Sequence, residues 1–189
     1  MSATSAAAAN PSECDRFLVN LQTDDFTLFG LTPQFAQDKA ALDVQWKALQ
    51  AQAHPDKFAA QGPAAQRVAM QWSARINEAY RRLKDPLTRA AYLCELNGAS
   101  INAHSNTAMP ARFLLQQIEW REALDESYTE AALQALLASV NTAKMDLLGQ
   151  CEQLLDVQHD YAAAVLPVRC LMFMDKFAHD LNQRLDALA

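Results

Sequence analysis

Apolar residues in this chain recur at steps of three and four, with no useful run of strict alternation, so the pattern predicts helices throughout. Asp24 and Asp25 can cap and favour a helix start, and Phe26 to Phe29 then forms a short first helix stopped by Gly30. A second helix starts at the natural N-cap Asp38, carries Leu42, Trp46, Leu49 and Ala53 on one stripe, and ends at Pro55. Beyond a loop with Gly62 and Pro63, a third helix repeats Ala65, Val68, Trp72, Ile76, Ala79, Tyr80 and Leu83 with the same period. These two stripes should pack face to face as an antiparallel hairpin. Asp85 and Pro86 restart the chain as a fourth short helix through Leu87, Tyr92 and Leu93, closed by Gly98.

Residues 99–109 are polar and aperiodic, which marks a linker. Three longer helices follow. The first runs from Pro110 to near Asp125. The second, from Thr129 to Gln158, repeats Leu133, Leu136, Leu137, Val140, Leu147, Cys151, Leu154 and Leu155. The third runs from Asp160 to the C-terminus, and Pro167 should kink it or mark its true start. A three-helix bundle is the economical way to bury these stripes. The expected organisation is all-α: a flexible extension over 1–23, a first domain over 24–98, the linker, and a bundle over 110–189.

Composition supports this reading and removes several functions. The chain has 189 residues, 51% of them hydrophobic, which suffices for one ordinary core or two small ones. Its 4 cysteines form no CxxC pair and its 4 histidines no HxxxH or HExxH spacing, against a zinc site or disulfide framework and for a reducing compartment. With neither a signal-type apolar segment nor a membrane-length stretch, the expected location is the cytoplasm. The net charge of −6 is uneven: 24–98 is nearly balanced, whereas 99–189 is strongly acidic. That argues against nucleic-acid binding, which needs a basic surface. No nucleophile with a placed base, phosphate-cradling glycine loop or metal spacing is evident, so neither an enzyme nor a cofactor is expected, and nothing demands more than a monomer.

The chemistry concentrates in the loop between the second and third helices, which reads His54, Pro55, Asp56, Lys57, Phe58. Pro55 fixes its own φ and restricts His54, so the polar side chains are presented with little entropy left to lose on binding. A helical hairpin joined by His-Pro-Asp resembles the J domain. Further matches are Phe26-Thr27-Leu28-Phe29-Gly30-Leu31, Ile76-Asn77-Glu78-Ala79-Tyr80, and Leu83-Lys84-Asp85-Pro86 with Arg89 and Tyr92. The resemblance implies a DnaK-type ATPase as partner, with His54, Pro55 and Asp56 triggering its hydrolysis step and Lys57, Lys47 and Lys39 assisting docking. J domains commonly carry a strongly basic second helix. Here Asp38 and Asp43 offset Lys39 and Lys47, and Lys39 also reads as part of a solvated face.

On a helical wheel of the fifth helix, Phe113, Trp120 and Leu124 share one face with Gln117 beside them, while Leu114, Leu115, Ile118, Glu119, Glu122 and Glu126 occupy the broadly opposite arc. Large aliphatics placed away from a core need another cover, unless the stripe is simply wide. The run from Phe113 to Glu126 resembles the client-binding segment of HscB-type J-domain co-chaperones. In the last helix the core stripe reads Ala164, Val168, Leu171, Ala178, Leu181 and Leu185, with Phe173 nearly opposite and Leu166 and Phe177 flanking it. The segment from Val168 to Lys176 resembles the HscB segment whose Phe joins the same patch. The likeness covers Asp24 to the C-terminus and lacks the paired cysteines of the zinc-bearing eukaryotic relatives. It implies client-binding residues Leu114, Leu115, Ile118, Glu119, Glu122, Glu126 and Phe173, an IscU-like iron–sulfur scaffold as client, and an HscA-like DnaK-type ATPase. A J protein serving a different client is the alternative.

Overall fold

The computed structural model describes residues 21–102 and 109–188. The expected flexible extension, with Cys14, Phe17 and Leu18, lies almost wholly outside the described residues, as does the middle of the expected linker. The described chain is helical, with α1 Asp25–Phe29, α2 Lys39–Gln52, a 3-10 turn Pro55–Gln61, α3 Pro63–Lys84, α4 Pro86–Leu96, α5 Ala111–Glu126, α6 Glu130–Glu152, a π turn Gln153–Val157 and α7 Tyr161–Asp186. The fold class is all-α.

Capping chemistry sets most of the starts. Asp24, Asp38, Asp85, Thr129 and Asp160 each accept a hydrogen bond from a backbone N–H in the first turn of the helix that follows. Gly30 closes α1 in the left-handed region, φ 63°, where a Cβ would be strained. Contacts divide the chain into two compact units, one of Asp38–Arg81 with the preceding residues up to Thr32, the other of Pro33–Gln37 with the chain from Arg82 onward. Helix α4 therefore packs within the second unit.

In the first unit, Phe26, Phe29, Leu42, Trp72, Ile76 and Ala79 are buried. A buried ion pair ties α1 to α3: Asp25 accepts from the Arg75 guanidinium at 2.5 Å, and Arg75 also donates to the carbonyl of Thr23. The hairpin is more polar than its stripes predict. Trp46 stacks on Tyr80 at 4.7 Å, its indole N–H donates to Asn77, the Tyr80 hydroxyl donates to Asp43, and Gln50 bonds both Ser73 and Asn77. These groups bridge α2 and α3 with satisfied polar contacts, which fix register more sharply than an apolar seam. Val68, expected on the core stripe, is 41% exposed, and Ala69 takes the buried position. The inner line of α3 runs through Ala69, Trp72, Ile76 and Ala79, and Val68 lies about 60° from its centre, at one edge of it.

In the second unit α7 is buried on two sides. Leu171, Met174, Phe177 and Leu181 are fully enclosed, while Pro167, Val168, Arg169 and Cys170 are covered as well, because both α4 and α6 pack on this helix. Phe177, expected on the outer side, is therefore part of the core beside Trp120, Leu133, Leu136 and Val140. Pro167 does not start the helix: α7 begins six residues earlier at Tyr161 and continues through it. The N-terminal part of the expected linker is fastened here, since Ile101 is buried and its carbonyl accepts from Arg169 Nε at 2.7 Å.

The π turn after α6 carries Asp156, whose carboxylate accepts the backbone N–H groups of Phe35 at 2.5 Å and Ala36 at 2.8 Å. Arg89 lies over the Phe35 ring at 5.2 Å and donates to the carbonyl of Leu83. Burial pulls the Arg89 guanidinium below its ordinary value, and the charges of Asp85 and Asp156 pull the other way.

Cys94, Cys151 and Cys170 are buried on α4, α6 and α7. Burial pushes the thiols up, Cys94 to about 11 and Cys151 to about 12, from an ordinary 9.0. The folded chain thus retains thiol protons that the unfolded chain releases between these values. This stability is full below about pH 9 and is lost as pH climbs through 11 to 12. Urea titrations across that range should show a falling midpoint, and Cys151→Ala should make the fall shallower; an unchanged slope in the variant would remove Cys151 from the effect.

Candidate functional site

The His-Pro-Asp segment is built by its neighbours. Ala53 and Phe58 are buried on either side and pin the loop, leaving the residues between them at the surface. Pro55 occupies the first position of the 3-10 turn, and His54 caps it with φ −64° and ψ 124°, the extended conformation that a following proline enforces. His54 Nδ1 accepts the Asp56 N–H at 3.3 Å and lies 3.6 Å from Asp56 Oδ2. The Lys57 N–H donates to the His54 carbonyl at 3.0 Å. The loop is thus locally pre-formed, yet the two side chains keep 58% and 89% of their exposure. Their outward atoms remain exposed to solvent.

The lysines are not gathered equally. Lys57 is in the loop, and Lys47 is exposed two turns before His54, about 10 Å along the axis. Lys39 is also exposed but opens α2 at its far end, about 20 Å from the loop along that axis.

A second exposed face lies on α5. Trp120 is buried and Phe113, Leu124 and Gln117 turn partly inward, as their shared arc on the wheel predicts. That rotation leaves Leu114 at 44%, Leu115 at 62% and Ile118 at 53% exposure, with Glu119, Glu122 and Glu126 exposed beside them. Glu119 accepts a hydrogen bond from Gln116 at 3.0 Å. This face is apolar at its centre and acidic along one edge, and no aliphatic of the row belongs to the buried core.

Phe173 sits differently from the outward position expected of it. It is half-buried against the core, edge-on to Phe113 at 5.9 Å and stacked on Phe177 at 6.3 Å, with the Arg121 guanidinium 5.7 Å above its ring. The wheel placed it opposite a single stripe, but α7 has two buried sides and Phe173 lies at the border of one.

Comparison with known proteins decides the family. Residues 109–182 match the family model described as the HSCB C-terminal oligomerisation domain. A co-chaperone protein HscB homolog of Bordetella petrii is 52% identical over 159 residues, 84% of this chain and 94% of the relative. The chain belongs to the HscB co-chaperone family. Another HscB homolog, from Cupriavidus taiwanensis, is 48% identical over 171 residues, covering 89% of this chain and 97% of its own. Among solved structures, chaperone HscB of Vibrio cholerae superposes with a TM-score of 0.77 at 36% identity, covering 88% of this chain and all of that one. The human co-chaperone HscB shares the fold, with a TM-score of 0.83 at 24% identity over 87% of this chain and 83% of its own. As a member of the HscB family the chain is a co-chaperone, and its fold carries the J domain and the C-terminal helical bundle.

Two residues of the α5–α7 surface differ in what they cost to alter. Leu115 makes little use of its side chain in the folded monomer, so Leu115→Ala should leave stability within about 0.5 kcal/mol. Phe173→Ala removes a half-buried ring from an aromatic cluster and should cost about 1 to 3 kcal/mol in urea denaturation. Equal and negligible losses in both would place Phe173 outside the core.

Proposed function

We propose that this co-chaperone binds an IscU-like iron–sulfur scaffold protein through α5 and α7, delivers it to an HscA-like DnaK-type ATPase, and stimulates ATP hydrolysis there through the His54-Pro55-Asp56 loop. The observation that carries the reading is the outward row Leu114, Leu115 and Ile118 on a helix whose aromatic face is already buried. Aliphatics exposed side by side, rimmed by acids, suit a protein partner that covers the apolar centre and brings basic groups to the edge. Glu119, Glu122 and Glu126 supply that edge, and Phe173 contributes the exposed part of its ring.

The loop serves the other partner. His54 and Asp56 offer directed hydrogen bonds from a pre-formed turn, while Lys57 and Lys47 add positive charge on the approach to it. Lys39, at the far end of α2, contributes only to long-range attraction. In this scheme the catalytic machinery belongs to the ATPase, residues 24–98 act as the J domain and 110–189 as the client-binding bundle, and the chain works as a monomer in the cytoplasm.

Two variants test the two halves. His54→Gln should preserve the melting temperature and abolish stimulation of the partner ATPase; undiminished stimulation would sink the J-domain mechanism. Leu115→Ala should weaken scaffold binding, measured by calorimetry, by about 1 to 3 kcal/mol, the range of a central apolar anchor. Unchanged affinity would leave α5 without this role.

A further inference from the structure

On the flank of α5 that turns toward α6 the bundle is not closed. Between α5, α6 and α7 lies a groove of about 360 Å³, floored by Phe113, Trp120, Leu147, Pro167 and Met174. Arg112 and Gln116 stand on its α5 wall, Asp146 and Gln150 on its α6 wall. Asp146 and Gln150 also line a shallower trough that continues along α6 and the π turn past Gly149, Gln153 and Gln158, so the whole cleft runs for about 20 Å. One end is an apolar socket, and the other is a polar track.

The chemistry of the lining selects the occupant. A socket of this size, apolar inside with a few polar groups at its mouth, has the form of a site that takes a bulky apolar group. Gln150, Gln153 and Gln158 are exposed, and among the described residues their side chains make no hydrogen bond. Each amide offers one donor group and one acceptor, the pair that a peptide unit needs. Gly149 sits inside α6, where glycine weakens the helix, yet no other part of the fold comes within 4 Å of the place its Cβ would take. Its bare backbone lets another chain approach closely. Arg112 and Asp146 are exposed at the same opening, and neither has an ion pair or side-chain hydrogen bond among the described residues. Asp146 is thus available to a basic side chain and Arg112 to a carbonyl oxygen. Around α5, Arg112 and Gln116 lie about 20° and 60° from Glu119, and Gln116 donates to Glu119 at 3.0 Å. The groove therefore begins where the acidic edge of the aliphatic row ends.

We propose that this groove holds an extended, basic peptide segment of the client scaffold, with one bulky apolar side chain in the socket and the backbone along the glutamines. This rests on the assignment of Leu114, Leu115 and Ile118 as the client face. The probes are fluorescein-labelled heptapeptides that carry one Lys and differ only in a central Leu, Phe or Ser, titrated into the full chain by fluorescence anisotropy. The Leu and Phe peptides should bind at least tenfold more tightly than the Ser peptide; no saturable binding by either overturns the proposal. Gly149→Leu should melt at or above the wild-type temperature, because leucine favours a helix and meets no obstacle, yet should weaken the peptides tenfold or more. Unchanged peptide affinity in this variant also overturns the proposal, as does a wild-type dimer in sedimentation that Gly149→Leu dissolves, which would seat a second copy in the groove. Asp146→Lys should shift preference from the Lys peptides to counterparts carrying Glu. Calorimetry with the iron–sulfur scaffold protein separates the two readings. Gly149→Leu should lower scaffold affinity about fivefold, and Leu115→Ala should weaken the scaffold while leaving the heptapeptides unaffected. If only Leu115→Ala weakens the scaffold, the groove loses this role and the client face stands; if only Gly149→Leu does, the client face falls and the groove stands.

Discussion

Helix α7 has to be covered on two sides at once, and the second unit is arranged around that demand. Its residues from Ala164 to Leu181 include Val168, Leu171, Met174, Phe177 and Leu181, too many large apolar groups for one stripe to face one neighbour. With α6 on one side and α4 on another, each of these side chains finds cover, and Arg169 is left to tie down Ile101. Burial of this extent contributes roughly 1.5 to 3 kcal/mol for each large side chain removed from water. Because α6 and α7 already satisfy one another, α5 rests on them through Trp120, Phe113, Ala123 and Leu124 and leaves its other face exposed. The free aliphatic row is thus a result of how fully the core is closed without it.

Much of this was legible in the residues. Caps at Asp24, Asp38, Asp85, Thr129 and Asp160 announce the helix starts, and the two arcs of α5 separate on a wheel without reference to tertiary structure. His-Pro-Asp could be read because Pro55 dictates local geometry by itself. What escaped the sequence depends on contacts between distant elements. A single stripe on α7 puts Phe177 and Phe173 too far outward, and the helical period alone puts Val68 on the core stripe of α3, where the fold buries Ala69 instead. The capture of Phe35 and Ala36 by Asp156 joins residues about 120 positions apart and has no local signature.

The two exposed faces use opposite physical strategies. His54 and Asp56 are polar, held in place by a proline and a short turn, and involve few atoms, which suits a trigger that must engage and release. The α5 face is broad and apolar with charges at its margin, which suits a partner that must be held. Specificity in the first comes from directed hydrogen bonds, and in the second from shape and the pattern of charge. Neither face shares a side chain with the core that supports it except Phe173, the one position where the surface and the fold are coupled.

The enclosed thiols have a chemical meaning beyond stability. With Cys94 and Cys151 held near 11 and 12, the thiolate fraction at neutral pH is about one in ten thousand or less. A thiol that is not ionised neither attacks disulfides nor binds soft metal ions. The enclosed cysteines of the described residues are therefore poor nucleophiles and poor sulfur ligands at neutral pH.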